Sequence, residues 1–139
     1  MSVEILDILW LTVSFTLVLL MQAGFLCVES GVTRSKNAIN VAMKNAADLV
    51  VAVFLFWLVG FALMFGDSFQ GLVGSDQFMA AMGPDSAWLA SFFLFQAMFC
   101  ATAVTIVSGV IAERVRFNGY IALSVLVAAV IYPVSGHWA

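Results

Sequence analysis

The sequence predicts an all-α fold, a polytopic transmembrane helical bundle of about four spans. Three observations carry that prediction. Of 139 residues, 64% are apolar and only 9% charged, against a globular norm of roughly 45–50% and ~25%. Four apolar stretches are each long enough to cross the ~30 Å hydrocarbon core of a bilayer. Four of the five basic residues, finally, collect in alternate connections, as they do in membrane proteins with a fixed orientation.

The first span is expected at about 8–30, since Ile8 to Val28 carries no charge while Glu4 and Asp7 precede it and Glu29 follows. It does not read as a cleavable leader, because Met1-Ser2-Val3-Glu4 has no basic region and the apolar run is too long. The second is expected at about 38–65, strongly apolar from Leu49 to Phe65 and extended backwards through Asn37 to Asp48, which reads helical but carries Lys44 and Asp48. A charge at the centre of a membrane helix costs about 2.5 to 3.5 kcal/mol on insertion scales. Lys44 and Asp48 stand four residues apart on one face and should therefore pair or face protein. From Gly66 to Ala87 the chain turns polar and glycine-rich, with Asp67, Asp76 and Asp85, and reads as one long loop.

The third span, at about 88–112, has no charged residue between Trp88 and Ala112. At ~1.5 Å per residue it reaches ~37 Å. Along it Ala97, Ala101, Thr105 and Gly109 recur every fourth position, a strip of small side chains on which another helix can approach closely. Phe92, Phe95 and Phe99 fall on roughly the opposite face. The fourth span is expected at about 118–135, with Pro133 near its end either held by neighbouring helices or marking termination.

Arg34 and Lys36 lie between spans one and two, and Arg114 and Arg116 between spans three and four, whereas the amino-terminal tail and the long loop hold only acids. The positive-inside rule thus puts the amino terminus, the Gly66 to Ala87 loop and the region of His137 outside, and both basic turns in the cytoplasm. The chain breaks off on His137-Trp138-Ala139 directly after an apolar helix, which suits either a small four-helix protein or the front of a longer one.

Little here suits an enzyme. There is one His, no pair of acids sharing an apolar setting and no nucleotide-binding loop. Cys27 and Cys100 lack the spacing of a metal or redox pair and read as buried, inert thiols, so no metal or cofactor is expected. The net charge of −3, with no basic stripe, argues against nucleic acid as a partner. Gln96 is expected to hydrogen-bond a neighbouring helix, Glu29 to be hydrated or capped by Ser30, Thr33 and Ser35, and His137 to be a helix-end residue rather than a ligand. The phenylalanines admit two readings, lipid or core packing on one hand, and an aromatic face that attracts a cation and blocks an aqueous path on the other. Hydropathy does not separate them.

Three stretches together resemble the ammonium transporter family that includes the Rhesus glycoproteins. They are Met21-Gln22-Ala23-Gly24-Phe25 with Glu29-Ser30-Gly31-Val32-Thr33-Arg34-Ser35-Lys36-Asn37; Phe95-Gln96-Ala97-Met98-Phe99 leading to Gly109-Val110-Ile111-Ala112-Glu113-Arg114-Val115-Arg116-Phe117; and, more weakly, Tyr132-Pro133-Val134-Ser135-Gly136-His137-Trp138. The resemblance implies a multi-pass protein of the plasma (inner) membrane with its amino terminus outside. It implies a homotrimer whose subunits each hold a narrow hydrophobic pore, built from two five-helix inverted repeats and a final helix. This chain would be an amino-terminal fragment, the first part of one such repeat. Ammonium would be recruited by aromatic rings, pass a phenylalanine gate and lose a proton before crossing. By motif, Phe99 is similar to the outer gate phenylalanine and Phe95 to a vestibule residue one turn above it. The family's recruiting tryptophan would fall at position 140, so Trp138 is out of phase with it, and His137 is not one of the two pore histidines. A cytoplasmic trimeric signal protein is a further implied partner. The same fold also serves as the membrane input domain of ammonium sensors fused to signalling modules, which is the alternative reading.

Overall fold

The computed structural model describes residues 2–69, 73–74, 78–79, 87–111 and 114–139. Helix α1 covers Ser2–Val32, and a 3-10 turn at Ser35–Asn37 sends the chain back into α2, Ala38–Leu55. A π-helical turn at Phe56–Gly60 joins α2 to α3, Phe61–Phe65, without interrupting the rod. Helix α4 is Ala87–Ile111. The last rod repeats the design of the second, with α5 at Phe117–Leu126, a π-helical turn at Val127–Ile131 and α6 at Tyr132–Trp138. The chain is therefore all-α in its membrane part, with four helical stretches among the described residues, Glu4–Val32, Ser35–Phe65, Ala87–Ile111 and Phe117–Trp138, long and apolar enough to cross a bilayer.

Hydrocarbon offers no partner to a polar backbone or hydroxyl group, which is why the rods are helical and why their hydroxyls turn inward on their own helices. Thr12, Thr16, Ser91, Thr102 and Ser135 each donate to the carbonyl four residues earlier. The two places where helical register changes are also places where the chain makes contact across rods. Gly60, closing the first π-helical turn, lies against Phe56 and Pro133. Pro133 does not terminate the fourth rod: it is buried, and the helix runs on through Trp138.

Within the loop after α3, two short strands, β1 (Ser68–Phe69) and β2 (Val73–Gly74), pair antiparallel with Ser68 opposite Gly74 and Phe69 opposite Val73. The reading of this segment as loop alone missed them, since two-residue strands leave no periodic signal. A Cβ at Gly74 would stand 2.1 Å from the Ala62 carbonyl oxygen, so the ladder can lie on the end of α3 only with glycine there. Gly71, Asp76, Gly83, Pro84 and Asp85 of the expected loop, and Ala112 at the expected end of the third span, lie outside the described residues.

The core centres on α4, which packs against α1, α2 and α5. Phe93, Ala97, Cys100, Ala101 and Val104 of α4 meet Ala52, Phe56, Phe61, Val127 and Ala128. Phe56 is fully enclosed, with ring centroids of Phe93 at 5.9 Å, Tyr132 at 6.1 Å and Phe61 at 6.2 Å. Helix α1 is peripheral. Among its described side chains only Gln22 is buried, while Leu9, Trp10, Leu17 and Leu20 look outward.

A Cβ on Gly60 would come within 2.7 Å of Phe56 Cδ2 and 3.3 Å of Pro133 Cγ, and both neighbours are enclosed. Gly60→Ala is expected to lower stability in detergent by about 1–3 kcal/mol. Gly24→Ala on α1, where nothing lies within 4 Å, is expected to be neutral or to gain up to ~1 kcal/mol from helix propensity. Chemical unfolding of the two variants in micelles checks the contrast.

Candidate functional site

The expected aromatic face of α4 divides in two. Phe95 and Phe99, one helical turn apart, form an edge-to-face pair with centroids 4.8 Å apart and planes at 63°. Phe92 is drawn instead to the end of the bundle, stacked on Trp88 at 5.2 Å and edge-on to Phe65 at 4.9 Å. Phe93, one residue on, points the other way into the core with 5% exposure, whereas Phe99 keeps 39%. Ile106 and Val110 continue the exposed strip below Phe99 at helical spacing. The chain thus presents one uncovered apolar face of α4, headed by two rings.

The opposite side of α4 is fixed by polar contacts, and these hold the rings where they are. Ala97, Ala101 and Thr105 of the small-residue strip have no exposed surface. Gln22 of α1 reaches across to donate from Nε2 to Thr105 Oγ1, and Thr105 in turn donates to the Ala101 carbonyl at 3.0 Å. One turn further along the strip, Gly109 lies beneath Glu29, so closely that a Cβ there would be 2.6 Å from Oε1. Glu29 is not capped by its neighbours as expected. Ser30 donates to the Cys27 carbonyl and Thr33 to that of Ser30, while Glu29 Oε2 accepts from Asn45 Nδ2 at 2.7 Å. The carboxylate is a bridge from α1 to α2, not a solvated helix end. Gln22 Oε1 and Asn45 Oδ1 find no hydrogen-bond partner among the described residues, and both side chains line a groove of about 330 Å³ between α1 and α2.

Asp48 has no exposed surface. It accepts hydrogen bonds from the Tyr120 hydroxyl and from Ser124 Oγ, both on α5. Lys44, 2% exposed, lies over the Tyr120 ring at 4.8 Å and donates to the Val115 carbonyl at 3.2 Å. Lys44 and Asp48 therefore face protein, and Tyr120 touches both. His137 bonds through Nδ1 with the Met64 carbonyl at 2.9 Å, tying the end of α6 to α3. Gln96 is half-buried beside the aromatic pair.

Sequence reasoning picked out Lys44, Asp48 and Glu29 from their charge but missed the partners Tyr120, Ser124 and Asn45, and the link from Gln22 to Thr105. The usable signal was polarity inside apolar spans, which marks a residue as needing a partner without saying which one. It also took both cysteines as buried and inert. Cys27 is exposed on α1, and Cys100, fully buried, donates from Sγ to the Ala128 carbonyl at 3.9 Å. Among the described residues no group of acids, His and Cys is placed to hold a metal ion.

Comparison with known proteins gives consistent matches. The family model described as Ammonium Transporter Family matches residues 9–139. A putative ammonium transporter of Synechocystis, sll0537, is 52% identical over 96% of this chain and 25% of that protein. Ammonium transporter Amt2 of Archaeoglobus fulgidus is 47% identical over 95% of this chain and 28% of its own length. The chain thus spans about a quarter of the length of these curated relatives. A solved structure named Sensor Amt Protein superposes with a TM-score of 0.91 at 43% identity, covering 98% of this chain and 34% of that one.

The buried Lys44, Tyr120 and Asp48 arrangement makes a stability prediction. Tyr120→Phe removes one donor from an enclosed carboxylate and is expected to cost about 1–3 kcal/mol. Lys44→Met should likewise cost about 1–3 kcal/mol, through the lost hydrogen bond to the Val115 carbonyl and the lost cation–ring contact with Tyr120. The double substitution Lys44→Met with Tyr120→Phe, whose removed donors serve different acceptors, should cost about the sum of the two singles. Unfolding midpoints in detergent measure all three.

Proposed function

This chain belongs to the ammonium transporter family, and from that premise we propose that it is the amino-terminal part of a transporter that moves ammonium or ammonia through a hydrophobic, Phe-gated pore in a homotrimer. Phe99 is the outer gate ring, Phe95 the vestibule ring one turn above it, and the uncovered face of α4 is one wall of the path. The observation that carries this reading is the Phe95–Phe99 edge-to-face pair standing on a face the chain leaves open, while Phe93, two residues from Phe95, is sunk in the core. On this account the protein sits in the plasma (inner) membrane with its amino terminus outside, and Arg34, Lys36, Arg114 and Arg116 mark the cytoplasmic face, where a trimeric signal protein would dock.

The chemistry favours such a design. A bare ammonium is costly in hydrocarbon, and the faces of aromatic rings offset part of that cost, by about 0.5 to 2 kcal/mol as solvent is stripped away. Neutral ammonia crosses an apolar path readily. A dry pore below an aromatic entrance therefore discriminates by proton release, which potassium cannot match. A second reading, the membrane input domain of an ammonium sensor, draws support from the name of the solved structure that this chain resembles. It uses the same residues for substrate entry and differs in what is fused beyond them.

The test is a chimera in which residues 1–139 replace the matching quarter of the Synechocystis relative. Phe99→Ala is expected to change methylammonium uptake per folded protein by about 2- to 30-fold, the range set by one cation–ring contact. Phe93→Ala should lower folded yield, with about 3–5 kcal/mol lost from the core, and leave uptake per folded protein close to the parent. Equal effects of the two on uptake would remove the gate assignment.

A further inference from the structure

We infer that Cys100 is a positioning residue: its thiol supplies to Ala128 the hydrogen bond that Pro133 cannot, and so fixes the rotation of α4 that presents Phe99. In the π-helical turn Val127–Ile131 the N–H of Tyr132 reaches back five residues to the Val127 carbonyl. The same register assigns the Ala128 carbonyl to the N–H of residue 133, which is a proline and has none. The preceding N–H, that of Tyr132, is already engaged. Ala128 is thus left with a carbonyl that its own helix does not serve, at a residue with no exposed surface. A buried carbonyl without a donor is a standing cost, and neither water nor lipid can relieve it here.

Cys100 meets that need from the neighbouring helix. Its Sγ lies 3.9 Å from the Ala128 oxygen, a long reach for a thiol donor, and the residue is itself fully buried. Pro133 is itself enclosed, with Gly60 of the second rod beside its ring. The thiol therefore pins α4 to the π-helical turn of the fourth rod at one azimuth. Phe99 is the residue before Cys100 on α4, about 100° around the helix axis. With Cys100 turned onto the π-helical turn of the fourth rod, Phe99 is turned onto the open face beside Phe95. The part of the inference that concerns Phe99 rests on its assignment as the gate ring; the hydrogen bond does not.

The hydrogen bond is tested by a double-mutant cycle on the full chain in lipid nanodiscs. Cys100→Ala should lower the unfolding temperature by about 2 °C or more. In the Pro133→Ala background residue 133 brings its own N–H, so Cys100→Ala should then cost only the lost packing of the buried sulfur, distinctly less than in the parent. An equal loss in both backgrounds overturns the inference. Should Pro133→Ala fail to fold, the S–H stretching band of a Cys27→Ala chain decides instead: a band shifted to lower frequency than that of a free thiol supports the bond, and an unshifted one refutes it. Transport separates the two layers. In the chimera Cys100→Ala should shift methylammonium uptake in the same direction as Phe99→Ala, by a smaller factor. Coupling in the cycle with uptake changed by Phe99→Ala but not by Cys100→Ala refutes the positioning of Phe99 and leaves the hydrogen bond and the gate standing.

Discussion

Asp48 has no exposed surface and stands on a helix long and apolar enough to cross a membrane. Such a carboxylate must be satisfied by its own protein, because hydrocarbon solvates neither charge nor hydrogen-bonding groups. Much else in the bundle follows from that constraint. Tyr120 and Ser124 have to be brought to Asp48 from α5, and Lys44 has to lie where it meets both the Tyr120 ring and the Val115 carbonyl. The same rule operates one helix over, where Glu29 and Gln22 of the otherwise outward-looking α1 reach Asn45 and Thr105. A few polar residues thus specify which helix faces meet, a task that apolar contacts perform poorly in an apolar solvent.

The polar contacts and the small-residue strip act on one side of α4, and the consequence appears on the other. Once Ala97, Ala101 and Thr105 are enclosed, Phe95 and Phe99 are left on the open side as an ordered ring pair. The two π-helical turns refine this further. Each breaks the regular helical register at the level where the second and fourth rods touch, and Gly60 and Pro133 meet there. Register changes of this kind leave backbone carbonyls in need of new donors. Met79 N–H serves Leu58 in the first turn and the Cys100 thiol serves Ala128 in the second.

Composition and periodicity were enough for the fold class, because four long apolar stretches with sorted charges admit few other architectures. They were also enough to say that Lys44 and Asp48 face protein, since the alternative is a charge in lipid. They were not enough for the partners. Tyr120 and Ser124 lie more than seventy residues from Asp48, and helical periodicity carries no information across such a separation. The π-helical turns were illegible for another reason: Phe56-Trp57-Leu58-Val59-Gly60 and Val127 to Ile131 are ordinary helix-compatible residues, and only the packing of Gly60 on Pro133 shows what the extra residue accommodates. Phe92, Phe95 and Phe99 share a spacing yet part company in the fold, because Phe65 and Trp88 lie within reach of Phe92 alone.

The central claim is that the open face of α4 borders a substrate path rather than lipid. Thiol accessibility tests it most directly, using Phe95→Cys in the chimera, in sealed membranes, with the parent chimera as background. A small, water-soluble, membrane-impermeant thiol reagent added from outside should modify Phe95→Cys, and ammonium should slow the reaction. Modification by lipid-soluble reagents alone, unaffected by ammonium, would place that face against the bilayer and contradict the account.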